Sequence, residues 1–135
     1  MLKEKATYYY LEKNQNCAVS MMMAANECYE MGLSEEACLL FAGFGGGMGC
    51  GSVCGALTGS IGVLSKLYAG MDKEALRTVC AGFVAKFEEK LSCGSIDCNV
   101  IGPKYKEADK RCLAAVLLAA ECMEEYLAEL SFEEK

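Results

Sequence analysis

Apolar residues recur along most of the chain at the three- and four-residue spacing that places them on one face of an α-helix. The clearest stripe follows Asp72, a residue that favours the start of a helix, and consists of Leu76, Cys80, Phe83, Phe87 and Leu91. Alternating β-branched runs of strand type are missing, and Ala, Leu, Met, Glu and Lys, which favour helices, dominate. The pattern therefore predicts an all-α protein.

The same pattern predicts four or five helices that pack as a single-domain bundle over residues 1–135. They are expected over about residues 4–31, 34–43, 52–69, 72–91 and 105–130, with residues 131–135 frayed and 92–103 in a loop. The first helix is expected to be kinked or broken around Asn14–Asn16 and capped by Gly32, and Ser34 is expected to cap the second.

A glycine-rich loop, GFGGGMGCGSVCGALTGSIG over residues 43–62, precedes the third predicted helix. It does not match the phosphate-binding loop, because no Lys followed by Ser or Thr ends it, and it does not match the dinucleotide pattern GxGxxG. On the third helix Gly55, Gly59 and Gly62 form a stripe that would let another backbone approach closely. Two interpretations are compatible: tight packing within the fold or across a dimer, and a cofactor or partner lying on bare backbone. For the second we predict contacts from Gly49, Gly51 and Gly55.

Charge and composition exclude several classes of function. The net charge is −6 without a Lys/Arg cluster, so nucleic-acid binding is not expected. The amino terminus, MLKEKATYYY, lacks the apolar core of a secretory signal, and no apolar run reaches the length of a membrane span. We therefore expect a soluble cytoplasmic protein. Histidine is absent, which excludes Ser-His and Cys-His nucleophile pairs, HExxH zinc sites and CxxCH haem attachment, so no haem is expected.

Ten cysteines carry the remaining chemistry. If Ser52 caps the third helix, Cys54 falls in its first turn, where unpaired amides and the helix dipole would lower its pKa and make it a nucleophile or metal ligand. Cys50, four residues earlier, could then serve as a resolving thiol or a second ligand. Four other cysteines fit the behaviour of small buried hydrophobes: Cys28, Cys38, Cys80 and Cys122.

The stretch Cys54-Gly55-Ala56-Leu57-Thr58-Gly59 resembles the CGAxxG signature of a small family of redox-active proteins, usually labelled C_GCAxxG_C_C. Further elements are similar to the family's NCA, glycine-rich and GSxxC elements and its last cysteine: Asn16-Cys17-Ala18, residues 44–49, residues 94–98 and Cys112. The likeness covers nearly the whole chain. It implies a redox role without an agreed substrate, and four principal cysteines, here Cys17, Cys54, Cys98 and Cys112.

Three functions follow as hypotheses. The first is thiol–disulfide exchange or electron transfer, with Cys54 as the attacking thiol, Cys50, Cys17 or Cys98 as its resolving partner, and a redox partner protein or small thiol as co-reactant. Whether such a protein acts as an enzyme, in the manner of a thiol–disulfide oxidoreductase, stays open.

The second hypothesis is a bound metal, because four thiolates suit zinc or an iron–sulfur cluster. The ligands would be Cys17, Cys54, Cys98 and Cys112. The third is a non-catalytic helical module that forms a homodimer through its glycine stripe and carries inert cysteines. Both redox hypotheses require the four distant cysteines to converge in the bundle.

Overall fold

A computed structural model describes residues 1–133 of the chain, and within them the fold consists of seven α-helices without a β-strand. The helices are α1 Leu2–Thr7, α2 Cys17–Cys28, α3 Glu35–Leu39, α4 Gly55–Leu67, α5 Lys73–Leu91, α6 Cys98–Tyr105 and α7 Leu113–Glu133. The predicted all-α class is confirmed, whereas the predicted count of four or five helices is wrong.

The first predicted helix is in fact two helices. The chain leaves α1 through one π-helical turn, Tyr8–Glu12, and then reverses at Asn14, whose φ of 53° is left-handed. The helical path restarts at Cys17, because the side chain of Asn16 accepts a hydrogen bond from the N–H of Val19 at 2.9 Å and so caps α2. The predicted break is confirmed. Gly32 is not the cap, since α2 ends at Cys28.

The other additional helix lies where a loop was predicted. α6 forms despite Gly102 and Pro103 near its carboxyl end. The helix predicted from Tyr105 instead begins at Leu113, because residues 106–112 form a turn in which the N–H of Glu107 donates to the carbonyl of Arg111 at 2.7 Å. The expected fraying is wrong for residues 131–133, which continue α7, and residues 134–135 lie outside the described part of the chain.

The centre of the fold is the close crossing of α2 and α4, with α1, α5 and α7 packed around this pair. A β-carbon on Gly59 would lie 2.6 Å from the carbonyl oxygen of Ala18, and one on Gly62 would lie 2.5 Å from the ring of Phe41. The glycine stripe therefore allows tight packing inside the fold, one of the interpretations that the sequence left open.

The predicted start of the long stripe helix is confirmed, since the carboxylate of Asp72 accepts from the N–H of Ala75 at 2.9 Å. Phe83, Phe87 and Leu91 of α5 are fully buried in the core. No helix in residues 1–133 combines the length and the apolar character needed to cross a membrane.

Candidate functional site

The four cysteines of the motif line one cavity of about 850 Å³. Each stands at the amino end of a helix of eight or more residues: Cys17 and Cys98 open α2 and α6, Cys54 is the N-cap of α4, and Cys112 directly precedes α7. Helix amino ends present unpaired N–H groups and the positive end of the helix dipole. The cavity is thus surrounded by four sources of positive potential.

The sequence predicted Cys54 at a helix start and Cys112 near the start of the last helix, and both lie at helix starts in the structure. Cys17 was expected inside the first helix and Cys98 in a loop. These two expectations are wrong, because the helices were predicted with the wrong boundaries. The capping residue Asn16, one position before Cys17, was the available signal for a helix start there.

A short antiparallel bridge between Val53 and Asp97 joins two of the cysteine segments. The N–H of Cys54 donates to the carbonyl of Ile96 at 2.8 Å, and the N–H of Cys98 donates to the carbonyl of Ser52 at 2.6 Å. Because side chains alternate along extended backbone, Cys54 and Cys98 lie on the same face of this bridge. The bridge therefore fixes the start of α6 beside the start of α4.

The predicted geometry of Cys54 is wrong in one respect that matters for its chemistry. Ser52 precedes the bridge residue Val53 instead of capping α4, and Cys54 itself occupies the N-cap, 95% shielded from solvent. Burial raises the pKa of Cys54 to about 12, although the N–H groups of Ala56 and Leu57 oppose the shift. Cys54 is consequently a protonated, buried thiol and not the low-pKa nucleophile that the sequence predicted.

Gly55 makes room for the sulfur of Cys17. A β-carbon at position 55 would overlap that sulfur and would lie 2.9 Å from the carbonyl oxygen of Phe44. Burial raises the pKa of Cys17, while the N–H groups of Gly46 and Ala18 donate to its sulfur and oppose the shift. The glycine of the CGAxxG motif thus serves the approach of two cysteine segments.

The glycine-rich loop contains a left-handed turn. Four consecutive residues have positive φ: Gly46 at 65°, Gly47 at 64°, Met48 at 60° and Gly49 at 74°. Glycine adopts this conformation without the steric cost that other residues incur. The turn also brings Gly47 so close to Cys98 that a β-carbon on Gly47 would lie 2.8 Å from the β-carbon of Cys98. The density of glycine therefore reflects the turn and its packing against the cysteines.

Of the three glycines that were predicted to contact a cofactor, Gly55 lines the cavity. Gly49 and Gly51 are not among its lining residues, and Gly51 instead lies against Asn99, whose β-carbon would be 3.1 Å from a β-carbon at position 51.

The hydroxyl of Tyr10 forms a hydrogen bond with the backbone of Cys112. The N–H of Cys112 donates to the hydroxyl of Tyr10 at 3.1 Å, and the guanidinium of Arg111 lies 4.0 Å from the centre of the Tyr10 ring and donates to the Tyr10 carbonyl. Burial raises the pKa of Cys112, whereas the positive charges of Lys106 and Arg111 lower it. Sequence reasoning missed Tyr10 and Arg111, because nothing in the sequence brings position 10 near position 111.

The remaining cysteines lie outside the cavity. Cys50 is exposed, and its thiol donates to the carbonyl of Gly47 at 3.5 Å. Cys38 and Cys122 are buried, and the other three are partly buried: Cys28, Cys80 and Cys93. All ten cysteines fall within the described residues and all are free. In the same residues no group of three or more Cys, Asp or Glu is arranged to hold a metal ion.

A family model described as "Putative redox-active protein (C_GCAxxG_C_C)" matches residues 15–126. The matched stretch contains all four cysteines of the cavity. Searches of curated proteins and of solved structures gave no match.

Proposed function

Because the chain belongs to the C_GCAxxG_C_C family of redox-active proteins, we propose that the four cysteines around the cavity are its redox unit and that they interconvert between thiols and disulfides. The observation that carries the proposal is their common position: four cysteines from four separate elements line one cavity.

We assign one disulfide of the redox unit to the pair Cys17 and Cys54. The sulfur of Cys17 lies against Gly55, the residue next to Cys54, and a negative charge on Cys17 would raise the pKa of Cys54. Oxidation would remove two electrons and two protons from the two thiols and form one S–S bond. The electrons would pass through a mixed disulfide to the disulfide of a partner protein or small molecule, which becomes two thiols.

The protonation state of this pair suits two-electron chemistry. The raised pKa values keep both thiols neutral in the reduced state, and a disulfide is neutral as well. Neither redox state then places an uncompensated charge in the apolar surroundings, which would be costly. The protons leave with the electrons.

A second candidate is a cysteine-ligated zinc or iron–sulfur cluster, and one specific observation favours it. Four helix amino ends surround the cavity and would stabilise the negative charge of four thiolates. The ligands would be Cys17, Cys54, Cys98 and Cys112. Since no group of three or more Cys, Asp or Glu in residues 1–133 is arranged to hold a metal ion, the sulfurs would have to move together on binding.

The two candidates separate in one experiment on protein purified without oxygen. Metal content and the absorption spectrum are measured first; the thiols are then oxidised with a mild disulfide, trapped with iodoacetamide and mapped by mass spectrometry. We expect a Cys17–Cys54 disulfide that is lost in C17S and C54S and retained in C50S, the control. Stoichiometric iron or zinc that each of the four serine variants loses would favour the second candidate and contradict the first. Slow, uniform alkylation without metal would contradict both and favour the non-catalytic module.

A further inference from the structure

The charged side chains that line the cavity, Lys106, Arg111 and Glu107, carry a net charge of +1, in contrast to the chain as a whole. Residues 104–111, KYKEADKR, carry four cations and two carboxylates within a chain of net charge −6. Three charged residues of this segment line the cavity: Lys106, Glu107 and Arg111. An anion approaching this protein would therefore be repelled by most of the surface and attracted here.

Lys106 is the cation that a ligand could use. Its side chain is exposed, and it forms no ion pair with any residue in the described part of the chain. Two other cations of the segment are engaged, since the ammonium of Lys104 donates to the carbonyl of Leu91 at 3.0 Å and the guanidinium of Arg111 donates to the carbonyl of Tyr10.

Cys112 is the sulfur of the redox unit on this side. Cys112, Cys17 and Cys98 are partly exposed, whereas Cys54 is buried, and of the three partly exposed cysteines Cys112 is the one that directly follows Arg111 in the chain. Burial raises the pKa of its thiol, as would negative charge on Cys98 or Cys17, whereas the positive charges of Lys106 and Arg111 lower it. Cys112 therefore combines access from solvent with the cationic part of the cavity lining.

We propose that the cavity admits a low-molecular-weight disulfide bearing carboxylate groups and that Cys112 is the thiol that attacks it. The proposal rests on the proposed thiol–disulfide function and names its co-reactant. A cavity of about 850 Å³ falls in the range of small-molecule sites, so a ligand of this size fits.

The reaction balances in two steps. The Cys112 thiol loses its proton to water and attacks one sulfur of the ligand; the ligand's S–S bond breaks, one half leaves and is protonated to a thiol, and the other half forms a mixed disulfide with Cys112. The Cys98 thiol then loses its proton and attacks the Cys112 sulfur, which releases the second half as a thiol. One small disulfide has become two thiols, and Cys98 and Cys112 are joined. Further exchange can pass this disulfide to Cys54 and Cys17 without net oxidation.

The test compares two alkyl disulfides of similar size, dithiodipropionate, which is anionic, and cystamine, which is cationic. Oxidation rates at low ionic strength are measured for the wild type, K106E and K110E. Lys110 is the matched control, because it is exposed and does not line the cavity while its substitution changes the net charge equally. We expect about a tenfold preference for dithiodipropionate in the wild type and K110E, abolished or reversed in K106E.

Acid-trapped peptide mapping supplies the second readout. The first mixed disulfide should appear on Cys112 and be absent in C112S. Equal rates with the two reagents, equal effects of K106E and K110E, or a first adduct on another cysteine would overturn the proposal while leaving the redox unit itself intact. If neither reagent produces a disulfide among the four cysteines, the proposed function falls together with this inference.

Discussion

The sulfur of Cys17 occupies the space in which any residue other than glycine at position 55 would place its β-carbon. The first residue of α2 and the first residue of α4 are therefore in direct contact across the cavity wall. The absence of a β-carbon at Gly55 thus allows the starts of α2 and α4 to approach this closely.

Gly55→Ala should push Cys17 out of its position. The added methyl group would overlap the Cys17 sulfur and crowd the carbonyl of Phe44, so we expect a loss of about 1–3 kcal/mol in the free energy of unfolding. Alkylation of Cys17, followed by peptide mapping, should become faster. Gly43→Ala is the control, because a β-carbon there meets nothing within 4 Å. Equal stability and equal Cys17 reactivity in the two variants would contradict this account.

Stability should fall as the solution becomes alkaline. Burial raises the pKa of Cys54 to about 12 and that of Cys122 to about 11, while the unfolded thiols titrate near 9. Above pH 9 the unfolded chain loses protons that the folded chain keeps, so each such thiol lowers the free energy of unfolding by about 1.4 kcal/mol per pH unit until its folded pKa is reached. Below pH 9 this contribution is fully present.

Cys122→Ala isolates one of these thiols away from the cavity. The free energy of unfolding, measured with urea between pH 9 and 11, should fall less steeply with pH in this variant than in the wild type. The difference should correspond to about one proton. Cys50→Ala, at an exposed site, should keep the wild-type slope. A Cys122→Ala slope that matches the wild type would show that the thiol titrates normally in the folded protein.

Tyr10→Phe should loosen the attachment of Cys112. The variant removes the hydroxyl that accepts a hydrogen bond from the N–H of Cys112, and we expect a cost of about 0.5–1.5 kcal/mol in the free energy of unfolding. Hydrogen exchange at the Cys112 amide should accelerate. Tyr8→Phe, at a side chain 43% exposed, should change neither quantity. If Tyr8→Phe is as costly as Tyr10→Phe, the hydroxyl of Tyr10 has no special role.

Asn16→Ala should destabilise the start of α2. The amide oxygen of Asn16 accepts from the N–H of Val19 at 2.9 Å, and its amide nitrogen donates to the carbonyl of Ala42 at 2.7 Å. Losing both contacts should cost about 1–2 kcal/mol in thermal or urea unfolding. Ser34→Ala, which removes a cap from the short helix α3 and no second contact, should cost less. The reverse order of these two costs would contradict the assignment.

The features that were predicted correctly from the sequence are helix faces and helix caps, which depend on interactions between residues close together in the chain. The stripe on α5 and the caps at Ser34 and Asp72 were readable, because helix periodicity and capping depend on residues within one or two turns. The convergence of the four cysteines was expected from the family resemblance, and no periodicity could have indicated it.

Features fixed by distant contacts were mispredicted. Residues 92–103 were predicted as a loop, yet α6 begins there at Cys98, whose N–H is bonded to the segment before α4. The pKa of Cys54 was predicted to be low from its place at a helix start. Burial by the rest of the fold outweighs the helix dipole at that sulfur and reverses the direction.

The distance along the chain between Cys17 and Cys112, 95 positions, has a consequence for biosynthesis. Joining points so far apart costs about 4 kcal/mol of chain entropy before any contact compensates it, so the cavity is completed only when α7 docks. By the time Cys112 has been synthesised, the nascent chain contains nine of the ten cysteines, all but Cys122. If the four cysteines form disulfides as proposed, we expect correct pairing to require that the nascent chain stays reduced until α7 has been translated.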